Sequence, residues 1–283
     1  MKHFDNKKCL ITGAASGIGR STAIAISRQG ARLFLVDIDE TGLAETVDYI
    51  KKDGGNIAAW WKVDLSQFDE VRDLADRIHD SFGPMDIVMN IAGIAVWGFV
   101  EHLGIEDWQR TIGINLMGPI NVIHCFVPQM VRAGRGGHLV NVSSAAGLIA
   151  LPMHAAYSAS KFGLRGLSEV LRYDLMRHGI GVTVVCPGAV ETPLKQSVSI
   201  IGIDTNHREL TKLKKRFSKR AVKPERVASL ILKAVKKNRY LVFTSSDIRA
   251  AYWLKHYLFF VYHYIMKLLN RMMNTIVKHA GKE

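Results

Sequence analysis

A phenol and an ammonium four residues apart share one face of a helix, and Tyr157-Ser158-Ala159-Ser160-Lys161 provides that pair. A cation so near favours phenolate and lowers a pKa that starts at about 10, which suits a tyrosine to proton exchange at an alcohol or carbonyl oxygen. Upstream, His138-Leu139-Val140-Asn141-Val142-Ser143-Ser144 reads as a strand running into two hydroxyls. Ser144 can then sit at the carboxyl edge of a sheet, where open α/β folds bind their ligands. Each piece alone is ordinary: a Tyr/Lys pair is common on helix surfaces, and serines after a strand are common in turns.

What raises them is a third piece near the start, Thr12-Gly13-Ala14-Ala15-Ser16-Gly17-Ile18-Gly19. This Gly-rich turn lies between a strand pattern and a helix pattern, so its backbone can approach a pyrophosphate at the helix N-terminus. Asp37 follows at the end of the second strand pattern. There a carboxylate can accept hydrogen bonds from ribose hydroxyls and repel a 2′-phosphate, and the residues that follow, Ile38, Asp39 and Glu40, offer a phosphate no cation. NAD is therefore the expected cofactor, ahead of NADP. The plainer alternative makes Asp37 a cap of the next helix.

In order along the chain, TGAASGIG, NIAG, NVSS, YSASK and PGAVET resemble the motifs of the short-chain dehydrogenase/reductase family, over about residues 5 to 245. The resemblance implies a Rossmann-type fold, with Tyr157 as general acid/base and Ser144 on the substrate oxygen. Lys161 would bind the nicotinamide ribose and lower the tyrosine's pKa, and Asn115, in GINLMG, would hold a water beside Lys161. Ser144 is preferred to Ser143 because the family's serine precedes its tyrosine by thirteen positions.

The same resemblance puts Thr12, Gly13, Ser16, Gly17, Ile18 and Gly19 on the cofactor, Asp64 and Leu65 beside adenine, and Asn90, Ala92 and Gly93 under the adenosine. Pro187, Gly188, Val190 and Thr192 would border the nicotinamide, with Thr192 on its carboxamide. Ile91 departs from the family's Asn-Asn-Ala-Gly, which puts one local hydrogen bond in question. No metal is called for, and a homodimer or homotetramer is implied.

These groups need a scaffold, and the pattern supplies one. Seven apolar, β-branched runs read as strands: Lys8 to Thr12, Arg32 to Asp37, Asn56 to Asp64, Asp86 to Asn90, His138 to Ser143, Val182 to Cys186 and Tyr240 to Phe243. Helical patterns separate them near 18–29, 40–53, 67–82, 106–132, 154–178 and 224–237. Crossovers of that length force parallel pairing, and runs such as LFLV and VTVVC are apolar on both faces. The reading is a doubly wound α/β fold with a parallel seven-stranded sheet, one domain over 1–245, and a helical tail over 246–283. The charge-rich stretch 194–222 breaks the alternation and reads as a substrate lid or as a solvated loop-helix.

Around the motifs, Trp97, Leu148, Met153, His154 and Val190 are candidates to line a substrate cleft, with Trp97 and His154 nearest the chemistry. Most are apolar, so the expected substrate is a hydrophobic alcohol or carbonyl of steroid, retinoid or lipid type. The alternatives are core packing for Trp97 and Met153 and a helix-start role for His154.

The chain of 283 residues carries a net charge of +13, and the excess lies at one end. Residues 1–206 hold 19 Lys+Arg against 21 Asp+Glu, whereas 207–283 hold 19 against 4. From Ile248 to His279 aromatic and basic residues interleave, with an uncharged stretch of only eleven residues, 256–266. That is too short to span a bilayer and suits an interfacial helix on anionic lipid. A dimer contact is the competing reading, and a nucleic-acid patch a weaker third that no accompanying motif supports. Cys9, Cys125 and Cys186 show no CxxC spacing and read as buried thiols of a reducing compartment. The expected location is cytoplasmic, peripheral on the inner membrane face. A lipid-responsive sensor that uses the dinucleotide fold with little catalysis is the alternative function.

Overall fold

The structure is a computed structural model that describes residues 3–193, 199–202 and 221–280, the last five by backbone alone. Its strands are β1 (Lys8–Thr12), β2 (Arg32–Asp37), β3 (Asn56–Lys62), β4 (Ile87–Asn90), β5 (Val96–Trp97), β6 (Gly137–Val142), β7 (Ile180–Cys186), β8 (Ser199–Ile200) and β9 (Leu241–Phe243). The helices are α1 (Gly17–Ser27), α2 (Glu40–Lys52), α3 (Phe68–Phe82), α4 (Ile105–Ile112), α5 (Gly118–Ala133), α6 (Ala155–Asp174), α7 (Pro224–Lys236), α8 (Ser246–Tyr257) and α9 (Phe259–Ala280).

Seven strands form one parallel sheet in the order β3-β2-β1-β4-β6-β7-β9. Alternation within each strand feeds two cores, as a period of two requires. Cys9, Ile11, Leu33 and Leu35 pack with Ile26 of α1, Val47 of α2 and Ile231 of α7. Leu10, Phe34 and Val36 pack on the other face with Leu74 of α3 and Phe126 of α5. Because both faces are covered, the strands read as continuous apolar runs.

From β1 the chain winds outward through β2 and β3, then returns to lay β4 on the other side of β1. This reversal of strand order leaves a crevice beyond the carboxyl ends of β1 and β4, the place where such sheets bind ligands. The fold is the Rossmann-type α/β arrangement that the sequence pattern indicates.

Three local features depart from the sequence reading. The helix expected near 106–132 is interrupted, since α4 and α5 are joined by a π-helical turn at Gly113–Met117, which puts an extra residue into one turn. The helix expected over 154–178 ends at Asp174, and a separate 3₁₀ turn, Met176–His178, follows. The two-residue strands β5 and β8 pair in parallel as a small second sheet, and segments that short carry no periodic signal. Of the stretch 194–222 proposed as a lid, residues 194–198 and 203–220 lie outside the described residues, while Ser199–Ile200 is docked against Val96–Trp97.

The tail folds as α8 and α9 and packs on the domain beside β7 and β9. Tyr262 is buried with Leu148, Ile149, Val184 and Cys186, and Ile248, Tyr252 and Met266 pack around them. Among the described residues one continuous helical stretch, Ile105–Ala133, is long and apolar enough to cross a membrane. That stretch supplies Val122, Phe126 and Met130 to the core.

Candidate active site

The Gly-rich turn closes the crevice at the end of β1. Gly13 has φ +72° and Gly17 φ +51°, and a Cβ at Gly13 would lie 2.7 Å from the Ala92 backbone nitrogen. One at Gly17 would lie 2.9 Å from Thr192 Cγ2. Side chains are therefore excluded where the turn meets the segments after β4 and β7. Ser16 is the N-cap of α1, its side chain making no cap hydrogen bond, and the first turn of α1 holds no acidic residue. Helix N–H groups and a hydroxyl are thus presented together, a donor set that fits a pyrophosphate. Ile18 packs against the core beneath the turn, and Gly19 lies so close to the Gly13 carbonyl that a Cβ would collide with it.

Asp37 ends β2 beside this turn. Its Oδ2 accepts from Ala15 N at 2.9 Å and its Oδ1 from Asp39 N at 3.0 Å. The helix-cap alternative for Asp37 fails, because Asp39 is the N-cap of α2 and accepts from Gly42 N. Asp37 instead fastens the Gly-rich turn to β2 and places its carboxylate at the crevice.

Thr12 ties β1 to β4. Its hydroxyl accepts from Ile91 N at 3.0 Å and Ala92 N at 3.2 Å. The hydrogen bonds at Ile91 are thus made by backbone, so the departure of its side chain from the family motif costs none of them. Asn90 donates to Asn141 Oδ1 at 2.9 Å, and Asn141 donates to Ser168 Oγ at 2.8 Å. This buried chain links β4, β6 and α6, the helix that carries Tyr157. Sequence reasoning found Asn90 but missed Asn141 and Ser168, whose signal was a polar residue at an apolar strand position and a serine two helical turns beyond Lys161.

Asp64 lies two residues past β3, with its carboxylate engaged by Ser66 N and Ser66 Oγ at 2.9 and 2.7 Å. Leu65 is buried and its carbonyl accepts from Asn121. After β7, Pro187 O accepts from Ala145 N at 2.7 Å, Gly188 N donates to Thr244, and Val190 bridges to Val222. Thr192 is thereby held against Gly17, across the crevice from the end of β6.

Tyr157, Ser144 and Lys161 converge there. Ser144 Oγ accepts from Ala146 N at 3.1 Å, and its hydroxyl is near enough to the Tyr157 phenol to lower that group's pKa. Ser143 turns away and donates to Lys161 O at 2.8 Å, a supporting turn role. Lys161 is 4% exposed, and its Nζ donates to Val142 O at 3.1 Å. Burial brings its pKa down to about 8. Burial also pushes the Tyr157 phenol up, and the Ser144 hydroxyl partly offsets this. The lowering of the phenol's pKa that the resemblance assigns to Lys161 is not what dominates in the protein alone: burial raises it, and the ammonium's hydrogen bond goes to Val142 O.

Asn115 sits in the π-helical turn, wholly buried, exchanging two hydrogen bonds with the backbone of Ile94 at 2.8 and 2.9 Å. A Cβ built on Gly93 would be 2.9 Å from Asn115 Oδ1 and 3.3 Å from Lys161 Nζ. Gly93 therefore leaves open the space that both side chains border.

At the start of α6 lies an apolar cavity of about 250 Å³, whose walls include His154 and Ser158 but not Ser144, Tyr157, Lys161 or Asn115. Of the residues expected to line a substrate cleft, Met153 and His154 line this cavity and Trp97 does not; Phe99, Leu151, Ser158 and Phe162, which the sequence reading did not single out, complete it. His154 packs against Trp97, ring centres 4.5 Å apart and tilted by 35°, and meets the Tyr157 ring edge-on at 6.2 Å. Its Nδ1 pairs with Pro152 O at 2.6 Å, and burial lowers its pKa. Leu148 and Val190 belong to the packed cores rather than to the cavity, because the tail and α7 cover them.

Comparison with known proteins agrees with this geometry. A family profile described as short chain dehydrogenase matches residues 7–200. A probable oxidoreductase, EphD, from Mycobacterium tuberculosis is 34% identical over 90% of this chain, which spans only 44% of that protein's length. A putative oxidoreductase, SadH, from the same organism is 34% identical over 88% of this chain and 90% of its own. A short chain dehydrogenase/reductase from Burkholderia phymatum, solved in complex with NAD, superposes with a TM-score of 0.80 at 30% identity, over 90% of this chain and 95% of its own.

Proposed function

This chain belongs to the short-chain dehydrogenase family of oxidoreductases, and we propose that it interconverts a hydrophobic alcohol and its carbonyl with NAD. The observation that carries the reading is the convergence of Ser144, Tyr157, Lys161 and Asn115 beside the crevice at the ends of β1 and β4. When bound, a nicotinamide cofactor supplies the hydride acceptor for an alcohol or the donor for a carbonyl.

Tyr157 takes the hydroxyl proton as the alcohol is oxidised and returns it in the reverse direction. Ser144 donates a hydrogen bond to the same substrate oxygen. Lys161, with a pKa of about 8, remains mostly ammonium at neutral pH and favours the phenolate. Asn115 steadies the neighbourhood of Lys161 through Ile94. Thr192 and the Gly-rich turn frame the dinucleotide, and Asp37 favours NAD over NADP by repelling a 2′-phosphate.

The apolar lining of the cavity at the start of α6 supports a hydrophobic substrate body, and the steroid-, retinoid- or lipid-like class is our reading of it. Association as a homodimer or homotetramer, and contact of the basic aromatic tail with the inner face of a membrane, complete the reading. The test is NADH formation by the purified protein from NAD and a panel of hydrophobic primary and secondary alcohols, repeated with NADP. Turnover that favours NAD and bulky alcohols is expected. Silence across the panel with the dinucleotide still bound would instead support a lipid-responsive sensor.

A further inference from the structure

A surface helix of a globular protein normally carries one apolar stripe. α9 carries two. Its inner stripe is Tyr262, Met266, Leu269 and Met273, at i, i+4, i+7 and i+11, with Tyr262 buried and the other three half-buried. The opposite face presents Phe260, Tyr264 and Leu268 to solvent, Phe260 at 88% exposure, with Lys267 and Arg271 exposed among them. α8 adds Trp253 and Tyr257, stacked on one another and exposed.

Such a patch marks an interaction surface, and charge selects its occupant. From Ile248 to Lys282 there are six Lys and Arg and no Asp or Glu. A second copy of this surface would bring like charges together, whereas an anionic bilayer offers both an apolar interior and opposite charge.

The inner stripe reaches the catalytic side of the molecule. Tyr262 Oη accepts from Ala150 N at 2.8 Å, and Lys255 Nζ donates to Leu148 O at 2.8 Å while lying 4.8 Å from the centre of the Phe162 ring. Ala150, Leu151 and Phe162 are walls of the cavity at the start of α6. We propose that the tail is a lipid-engaged latch: anionic bilayer on the outer face of α9 stabilises the arrangement in which Tyr262 and Lys255 hold the 148–151 segment so that its Ala150 and Leu151 wall the pocket. This rests on reading that cavity as the substrate's. Lipid acts here as a ligand that favours one arrangement of α9, and can shift it only by its preference for that arrangement.

The test uses the full chain with vesicles of phosphatidylcholine alone or with added phosphatidylserine, followed by co-sedimentation and by amide exchange of peptides covering 148–151. Anionic vesicles are expected to pellet the protein and slow exchange in that segment by roughly fivefold, the scale of one neutral hydrogen bond. Tyr262→Phe should pellet equally but lose the slowing, and Phe260→Glu should retain its fold and dinucleotide binding but no longer pellet. Failure to pellet, pelleting without slowing, or equal slowing in Tyr262→Phe would overturn the latch. Pelleting and slowing with an unchanged KM for long-chain alcohols would uphold the latch and refute the substrate assignment of the cavity.

Discussion

Lys161 Nζ lies 5.9 Å from the centre of the Tyr157 ring on the same turn of α6, yet its hydrogen bond runs to Val142 O at the end of β6. The sheet thus holds the ammonium at a fixed place near the phenol, and burial of both groups sets their proton affinities. A charge retained in so dry a place is a cost to folding that makes sense at a functional site.

That cost is measurable. Burial lowers the Lys161 pKa to about 8 from 10.5, so the native state binds fewer protons than the unfolded chain between those values. Stability contributed by this group therefore rises as pH rises from 8 to 10.5, and the penalty is fully present below pH 8. Lys161→Met, which keeps the volume, is expected to melt a few degrees above wild type at pH 7, with the difference closing toward pH 10.5, while turnover is lost. Melting curves across this range check it; a variant less stable than wild type at pH 7 would show that the Val142 hydrogen bond outweighs the desolvation.

His138 gives the opposite end of the pH scale. Its Nε2 lies 2.7 Å from Thr183 Oγ1, whose own proton goes to Arg239 O, so the imidazole is the neutral donor. Burial lowers its pKa to about 4. The unfolded chain takes up the proton first, so stability falls as pH drops from about 6.5 to 4, by up to about 3 kcal/mol from this one group. His79 and His154 shift the same way. Denaturant titrations should find a shallower acid slope in His138→Gln; an unaltered slope would assign it elsewhere.

The proposed preference for NAD rests on Asp37. Because its two oxygens are engaged by Ala15 N and Asp39 N, the carboxylate is fixed in place beside the crevice. Removing the charge in Asp37→Asn should relax discrimination against NADP at least roughly tenfold, the scale of one screened like-charge contact. The melting temperature should also fall, since the new amide presents an N–H to one of those donors. Titration with NAD and NADP gives the ratio, and an unchanged ratio would remove Asp37 from the account.

Much of this was legible in the sequence because each catalytic candidate stands in a periodic element. Tyr157 and Lys161 needed only a helix between them, and Ser144 only the end of a strand. The Gly-rich turn was legible because Gly13 and Gly17 occupy backbone states that other residues avoid. The Asn90–Asn141–Ser168 chain was not, since its members lie on three elements and meet only when the sheet is assembled. The cavity wall was missed for the same reason: Ala150 and Leu151 come to it from a loop held by Tyr262, more than a hundred positions away. The π-helical turn around Asn115 left no mark on a helical pattern that looks continuous from Ile105 to Ala133.

The most direct measurement compares wild type with Tyr157→Phe, using the alcohol turned over fastest, with NAD binding followed separately by fluorescence titration. Turnover is expected to drop by roughly 10²–10⁴-fold, the range for loss of a general acid/base, while NAD affinity stays within about twofold, as expected where a uniform binding contact is untouched. Turnover retained in Tyr157→Phe, with NAD bound as in wild type, would contradict the central assignment.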